Sequence, residues 1–307
     1  MIDSQMANPN SKFSAPTVFN DNVSFSEFID VVYKSQGQQF QPVRLRTQRY
    51  YESQMIRLYA YHGSAVNPAP VVLDTQRQTV PTRGGGQTTV RTFENGVQRF
   101  QTLEAARDYV EENPGAQLGG IGDNPTERVD ALEHYRLIKA SDTTSRNYLR
   151  SYRRLQQQTN ASAGSLLRNN PSWVKTFEKV PGATIEGSGA PAGSEVQASV
   201  QMQIPASDRQ FVYTQYATAD ADGTFELTVP YSTTGYDEFG PDNGYTNVSV
   251  RANSEYRLQA TSDGALYTGT ATVDEAQVVG VDDAAVNVEL SEEQPLQLGG
   301  QSIQASG

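Results

Sequence analysis

Apolar residues recur at helical spacing through the first half of the chain, and short alternating runs replace them in the second. Ala15–Phe19 reads as a short strand. Ser24 precedes Glu27 by three residues, a capping box, and Phe25, Phe28, Ile29 and Val32 follow at helical spacing. A second helix fits Thr47 to Tyr61, with Tyr51, Met55, Leu58 and Tyr59 on one face and Gly63 as the stop. Pro70–Asp74 has the apolar content of a buried strand, and Gly84-Gly85-Gly86 is a loop tip between β-prone flanks. Thr102 opens a third helix that Pro114-Gly115 ends. Tyr135–Ala140 alternates like a strand, and Arg146 to Gln157 puts Tyr148, Leu149, Tyr152 and Leu155 on one helical side. Residues 159–172, rich in Asn, Ser, Ala and Gly, read as a linker.

From Val174 onward the period changes. Nine short strands are predicted: Val174–Val180, Ala183–Glu186, Glu195–Met202, Phe211–Ala217, Phe225–Val229, Thr246–Ala252, Arg257–Thr261, Gly269–Val273 and Ala285–Leu290. Their spacing and the turn residues between them predict a β-sandwich. The expected architecture is an α+β N-terminal domain over residues 1–172, an all-β sandwich domain over 173–290, and a Gln/Gly/Ser-rich tail, 291–307, without order.

The 307 residues contain no cysteine, which removes disulfides, thiolate nucleophiles and Cys-type zinc sites. Two histidines, His62 and His134, are too few for a His-based metal cage. No apolar run approaches the roughly 18 residues of a membrane helix, and the first ten residues lack a signal-peptide pattern. The net charge of −11 is unevenly spread. Residues 1–180 carry 21 basic and 17 acidic side chains, and residues 181–307 carry 3 and 18. So acidic a half offers little to neutralise phosphates, and nucleic acid is not an expected partner. Only five lysines occur, and an acid-rich, lysine-poor surface suits strong salt. The composition reads as halophilic, with an ordinary acidic surface as the plainer account.

Asp220, Asp222 and Gly223 resemble the start of a calcium loop, but Tyr231 stands where the closing Glu is required, and Asp-Gly chemistry favours a hairpin turn. Ser64 lies near His62 without any spacing that demands a triad, and both histidines are expected to be structural. Gly187-Ser188-Gly189 and Gly84–Gly86 lack the rest of a phosphate-binding pattern. Asn22, Asn160 and Asn247 each head an Asn-X-Ser triplet, a possible glycosylation acceptor. Trp173, the single tryptophan, is expected to pack at the domain junction. The segment 231–245 sets four aromatics among Gly, Pro and acidic residues. It suits sugar or protein contact, and it equally suits a self-packed loop. No spacing calls for the paired carboxylates of a hydrolase, Asp237 and Glu238 included.

Three strings of the second half carry a resemblance: Val174–Pro191 (VKTFEKVPGATIEGSGAP), Asp220–Phe225 (DADGTF) and Tyr231–Pro241 (YSTTGYDEFGP). Upstream, MIDSQM at the start, SKFSAPTVF from Ser11, QRYYES from Gln48, YHGSAV from Tyr61 and ALEHYRL from Ala131 follow in the same order. Together they resemble the C-terminal region of haloarchaeal oligosaccharyltransferases of the AglB type, over nearly the whole chain. The resemblance implies transfer of a glycan from a dolichyl phosphate carrier to Asn in an Asn-X-Ser/Thr acceptor. It implies a catalytic metal, Mn or Mg, in a membrane domain that this chain does not contain, and no cofactor in this part. It places the family's Trp-Trp-Asp motif just before Met1, so that the chain alone is expected to be inactive. A second acceptor-side motif carries over onto Asp3 with Met6, or in a stretched version Lys12, where a thioether or alkyl stem would touch the acceptor. Against this, Ile2, Met6 and Phe13 may equally be read as core residues. A non-enzymatic cell-surface adhesion protein built of β modules is the rival account; the sequons and acidic sandwich suit it, the α+β half does not.

Overall fold

In the computed structural model, residues 1–8, 12–13, 23–37, 39–82, 84–169 and 171–293 are described. The strand expected at 15–19, the triplet at Asn22 and residues 294–307 lie outside them.

The capping box at Ser24 and Glu27 forms as expected, but it starts a single 3-10 turn, Phe25–Glu27. The chain then runs straight into β2 (Ile29–Gln36), and β3 (Gln39–Arg46) pairs with it residue for residue. The predicted helix is therefore corrected to a strand. Ile29, Val31 and Val32 are β-branched, and an adjacent hairpin partner offers the backbone a ladder of hydrogen bonds in place of a helix's internal ones. The helix expected from Thr47 is broken by extended backbone at Ser53 (ψ 137°) into α1 (Gln48–Glu52) and α2 (Gln54–Tyr59). Both bury aromatic and aliphatic residues, with Tyr50, Tyr51, Ile56 and Tyr59 at most 1% exposed.

β4 (Val71–Asp74) sits between β7 (Gln98–Arg99) and β8 (Ala116–Leu118), while β5 (Gln76–Pro81) and β6 (Gln87–Phe93) form a hairpin with Gly84–Gly86 at its tip. β6 joins β2, giving the order β3-β2-β6-β5. α3 (Leu103–Glu112) starts at Thr102, whose hydroxyl accepts from the Ala105 amide, and ends before Pro114. α4 (Arg146–Thr159) is capped by Ser145 and closes on Asn160 in left-handed backbone (φ 54°). Residues 159–172 are no solvated linker. Ala161, Leu166 and Ser172 are buried, and Asn169 donates to the carbonyl of Ala60 at 2.8 Å.

β10 (Val174–Lys179), expected to open the sandwich, instead hydrogen-bonds to β9 (Tyr135–Ala140) on one side and β1 (Ile2–Asp3) on the other. The sandwich itself consists of two sheets. One is β14 (Phe225–Val229), β11 (Ala183–Ser188) and β18 (Val286–Glu289); the other runs β13 (Arg209–Thr218), β12 (Glu195–Ile204), β16 (Tyr256–Ser262), β17 (Ala265–Ala271) and β19 (Ser291–Glu292). β15 (Arg251–Ala252) adds to β12, the remnant of the strand expected from Thr246. Ser291 and Glu292, expected in the tail, pair with Thr268 and Tyr267. A short helix, α5 (Glu275–Val278), went unpredicted; Asp274 caps it.

Alternation does the packing. Val196, Ala198, Val200, Met202 and Ile204 of β12 all point inward and are at most 5% exposed. The buried apolar residues fall into two clusters. One gathers α1, α2, α4, β2 and β3; the other is the sandwich interior, which also takes Ala65, Ala131, Leu137 and Ala140 from the first half. Phe177 of β10 packs against both.

Candidate functional site

Asp3, Met6 and Lys12 meet in one tight turn. β1 holds Asp3 opposite Val174 of β10, so the backbone there is fixed by the sheet. One Asp3 carboxylate oxygen accepts from the amides of Gln5 (2.9 Å) and Met6 (3.0 Å), and the other accepts from Lys12 Nζ at 2.8 Å. Partial burial pushes the carboxyl up, but the Lys12 ammonium and the two amides outweigh it and hold Asp3 below the usual carboxylate range. Met6 is half-buried against the first core, and Lys12 is exposed. Ile2 and Phe13 are core residues, 8% and 0% exposed. The apolar members of this segment pack inward, while Asp3 and Lys12 stay at the surface.

The floor beneath the turn is polar and ordered. The Tyr50 hydroxyl donates to the Ala7 carbonyl (2.8 Å), and Tyr59 donates to the Ser172 carbonyl (2.6 Å). The Ser4 amide donates to the Trp173 carbonyl, and Ser145 Oγ donates to Ser4 Oγ. Trp173 is a correction. Its side chain is 53% exposed, because it stands just before the start of β10, the central strand, rather than filling the junction. Lys175, one pair further along β10, is buried. It donates to the Tyr59 carbonyl and lies 4.4 Å from that ring's centre; burial brings its pKa down to about 7.

Behind α4, Arg46 and Asp123 form a buried pair (3.6 Å) that sequence reading did not find. Arg46 donates to Tyr152 and to the Gly122 carbonyl, and Tyr148 and Tyr152 donate to the Asp123 carboxylate. Burial pushes Asp123 upward against the pull of Arg46 and Tyr152. The clue available was weak: four tyrosines, Tyr50, Tyr51, Tyr148 and Tyr152, at buried helical positions whose hydroxyls need partners.

The remaining motifs are structural in geometry. The Asp220–Gly223 segment is a turn between β13 and β14, with Asp222 accepting from the Thr224 amide and hydroxyl. His62 is buried in left-handed backbone (φ 58°), stacked edge-on to Phe211, and no hydrogen bond reaches either ring nitrogen. His134 Nδ1 lies 2.7 Å from the Pro181 carbonyl. Ser64 donates to the Ala65 carbonyl and accepts from the Thr214 amide, not from a histidine. In the 231–245 segment, Tyr231 is buried, Tyr236 donates to the Ser232 carbonyl and carries Arg251 over its ring, and Phe239 packs edge-on to Tyr245. This is the self-packed alternative. Asn160 and Asn247 are exposed, with the third residue of each triplet already bonded: Ser162 to Ser165, and Ser249 to the Ile138 carbonyl. Among the described residues no group of three or more His, Asp or Glu side chains could hold a metal ion, and no helix is long and apolar enough to cross a membrane.

Residues 182–286 match the family described as archaeal glycosylation protein B long peripheral domain. The chain is similar, at 47% identity over 98% of its length, to the dolichyl-monophosphooligosaccharide–protein glycotransferase AglB of Haloferax volcanii, of which it covers 30%. Its fold resembles that of the Archaeoglobus fulgidus oligosaccharyltransferase, solved tethered to an acceptor peptide containing the NVT sequon (TM-score 0.53, 16% identity, 94% of this chain and 30% of that one). It resembles equally the same organism's AglB in complex with an inhibitory peptide and a dolichol-phosphate (TM-score 0.52, 16% identity, 94% and 30%). The chain therefore spans under a third of the length of the proteins it matches.

Proposed function

The chain belongs to the AglB family of archaeal glycosylation proteins, and from that membership we propose that it is the C-terminal, outward-facing part of an oligosaccharyltransferase, shaping the side that receives the acceptor polypeptide. The whole enzyme would move a glycan from a dolichyl phosphate carrier to the Asn of an Asn-X-Ser/Thr sequon. The observation that carries this reading is the 47% identity running through both halves of the chain rather than through the sandwich alone. An adhesion protein of β modules would have no reason to keep the α+β half similar, so that account is set aside.

The turn at Asp3, Met6 and Lys12 is the acceptor-side element within this chain. Lys12 keeps the Asp3 carboxylate charged and fixed, and the Met6 thioether with the Lys12 stem offers soft contact to the methyl or hydroxyl of an acceptor Thr or Ser. Neither residue breaks a bond. The metal, Mn or Mg, and the acidic groups that activate the acceptor amide would belong to the membrane portion. Asn160 and Asn247, and Asn22 in sequence, would be modification sites of the protein itself.

Two measurements test the proposal. In a chimera, this chain replaces the matching segment of the Haloferax relative in cells without another copy, and glycosylation of a reporter sequon is followed by mass spectrometry. Glycosylation is expected to persist, and to fall when Asp3→Ala and Lys12→Ala are added together. The purified chain, given lipid-linked glycan and acceptor peptide, is expected to give no product. An inert, well-folded chimera, or turnover by the chain alone, would sink the reading.

A further inference from the structure

We propose that the trough between the β2–β3 hairpin and α4 is a docking groove for an acidic stretch of polypeptide. Its main hollow, about 600 Å³, has an apolar floor that includes Ile29, Val31 and Leu155, beneath the guanidinium groups of Arg44 and Arg154. A second hollow, about 330 Å³, shares Pro42, Arg154 and Gln158 with the first and adds Lys34. Among the described residues no carboxylate lines either hollow, in a chain with 35 acidic and 24 basic residues.

The cations here are uncommitted. α4 carries Arg146, Arg150, Arg153 and Arg154 and no acidic residue, and all four are exposed. None of them, nor Arg44, has an ion-pair partner among the described residues. Arg46, by contrast, lies at the base with its guanidinium already committed to Tyr152 and Gly122. Arg44 and Arg154 line the same hollow without counter-charges among the described residues and repel one another, a cost that an anionic occupant would relieve. Guanidinium groups meet carboxylates in bidentate pairs. Val31, 40% exposed on the floor, gives the occupant apolar contact as well.

Shape decides among anionic partners. A lipid surface is met by a projecting basic face, whereas these arginines rim a concavity. Single-stranded nucleic acid needs aromatic platforms for its bases, and among the described residues no aromatic lines either hollow. An extended polypeptide with alternating acidic and small apolar side chains fits both the rim and the floor. Asn8, two residues past Met6, lines the near end. On the function proposed above, the groove leads away from the acceptor-contact turn and would hold residues of the acceptor protein. That identification rests on the functional reading; the groove's chemistry does not.

The test uses the full chain and a fluorescent twelve-residue peptide of alternating Asp and Ala, which contains no sequon. Binding by anisotropy is expected, weakening about tenfold or more in Arg44→Ser/Arg154→Ser and recovering largely in Arg44→Lys/Arg154→Lys. The same peptide with Asn for Asp is expected not to bind. The idea is overturned by equal binding of the Asn peptide, by an equal loss in the pair Arg99→Ser/Arg107→Ser, which lines neither hollow, or by phosphatidylglycerol vesicles binding where the peptide does not. Since no sequon or glycan is involved, this result stands apart from that of the chimera.

Discussion

Glu275 accepts three hydrogen bonds on one carboxylate. It accepts from both terminal nitrogens of Arg136 (2.8 and 2.7 Å) and from the Ser232 hydroxyl, and Arg136 donates a further bond to Glu178 at 2.9 Å. Arg136 and Glu275 are 2% and 1% exposed, so removing one leaves the other charged and dry. Glu275→Ala is expected to cost about 3–5 kcal/mol in urea unfolding, whereas Glu289→Ala on the exposed sheet face should cost almost nothing. His62 gives a pH signature. Burial, with Lys175 nearby, holds its imidazole well below the ordinary histidine pKa, so it is neutral in the folded state. Its stabilising contribution is full above about pH 6.5 and drains away as pH falls through the lower folded value. Stability measured from pH 8 to 4 should lose that component in His62→Phe, and an unchanged profile would exclude His62 as its source. A structural His62 is expected from sequence, but neither its burial nor the Arg136–Glu275 pair is legible there. A Glu 139 positions from its Arg and a histidine ending a helix look like surface residues until the fold buries them. Asp3, Met6 and Lys12 were legible only through resemblance; their meeting at one carboxylate came from the turn.

Among elements, local chemistry was a good guide wherever it alone decides the structure. Thr102 and Pro114 bounded α3, and β14 and β9 took the residues that their alternation marks. It failed at Ile29–Gln36, where Ile29 and Val32, read with Phe25 and Phe28 at helical spacing, also suit a strand, and the choice fell to β3, a partner that period analysis cannot see. It failed again at 159–172, where a composition typical of linkers is packed against the Gly119–Asn124 loop: Asn124 donates to the Ser165 carbonyl, and the Asp123 amide donates to Leu166. That contact is tight at Gly122, which has φ +63° and would bring a Cβ within 2.4 Å of the Leu166 carbonyl. Gly122→Ala should therefore combine backbone strain with a clash, lowering stability by about 2–4 kcal/mol. Calorimetry can compare it with Gly84→Ala, where a Cβ meets open space.

Across the molecule, the two cores are tied by more than the chain between them. β10 lies in a sheet with β1 and β9, Phe177 packs on both cores, the Ala65 amide donates to Thr214, and Arg128 pairs with Glu195. The composition change near residue 173 marks a change of period, while the hydrogen bonding carries across it. A chain ended at residue 172 should lose cooperative unfolding, because β9 and β1 would lack their shared partner and Leu137 and Ala140 would lose the sandwich core they pack into. Retention of a sharp thermal transition by that shortened chain would contradict this coupling.

The β5–β6 hairpin stands apart from this coupling. Its outer residues are exposed on both strands, and a side chain at Gly84 or Gly85 would meet nothing within 4 Å. Lengthening such a tip costs only loop-closure entropy, about 0.6 kcal/mol for each doubling. It is therefore a natural handle: an epitope or a spectroscopic label spliced there would ride on the molecule without loading either core, and would let the protein be captured or watched from this side.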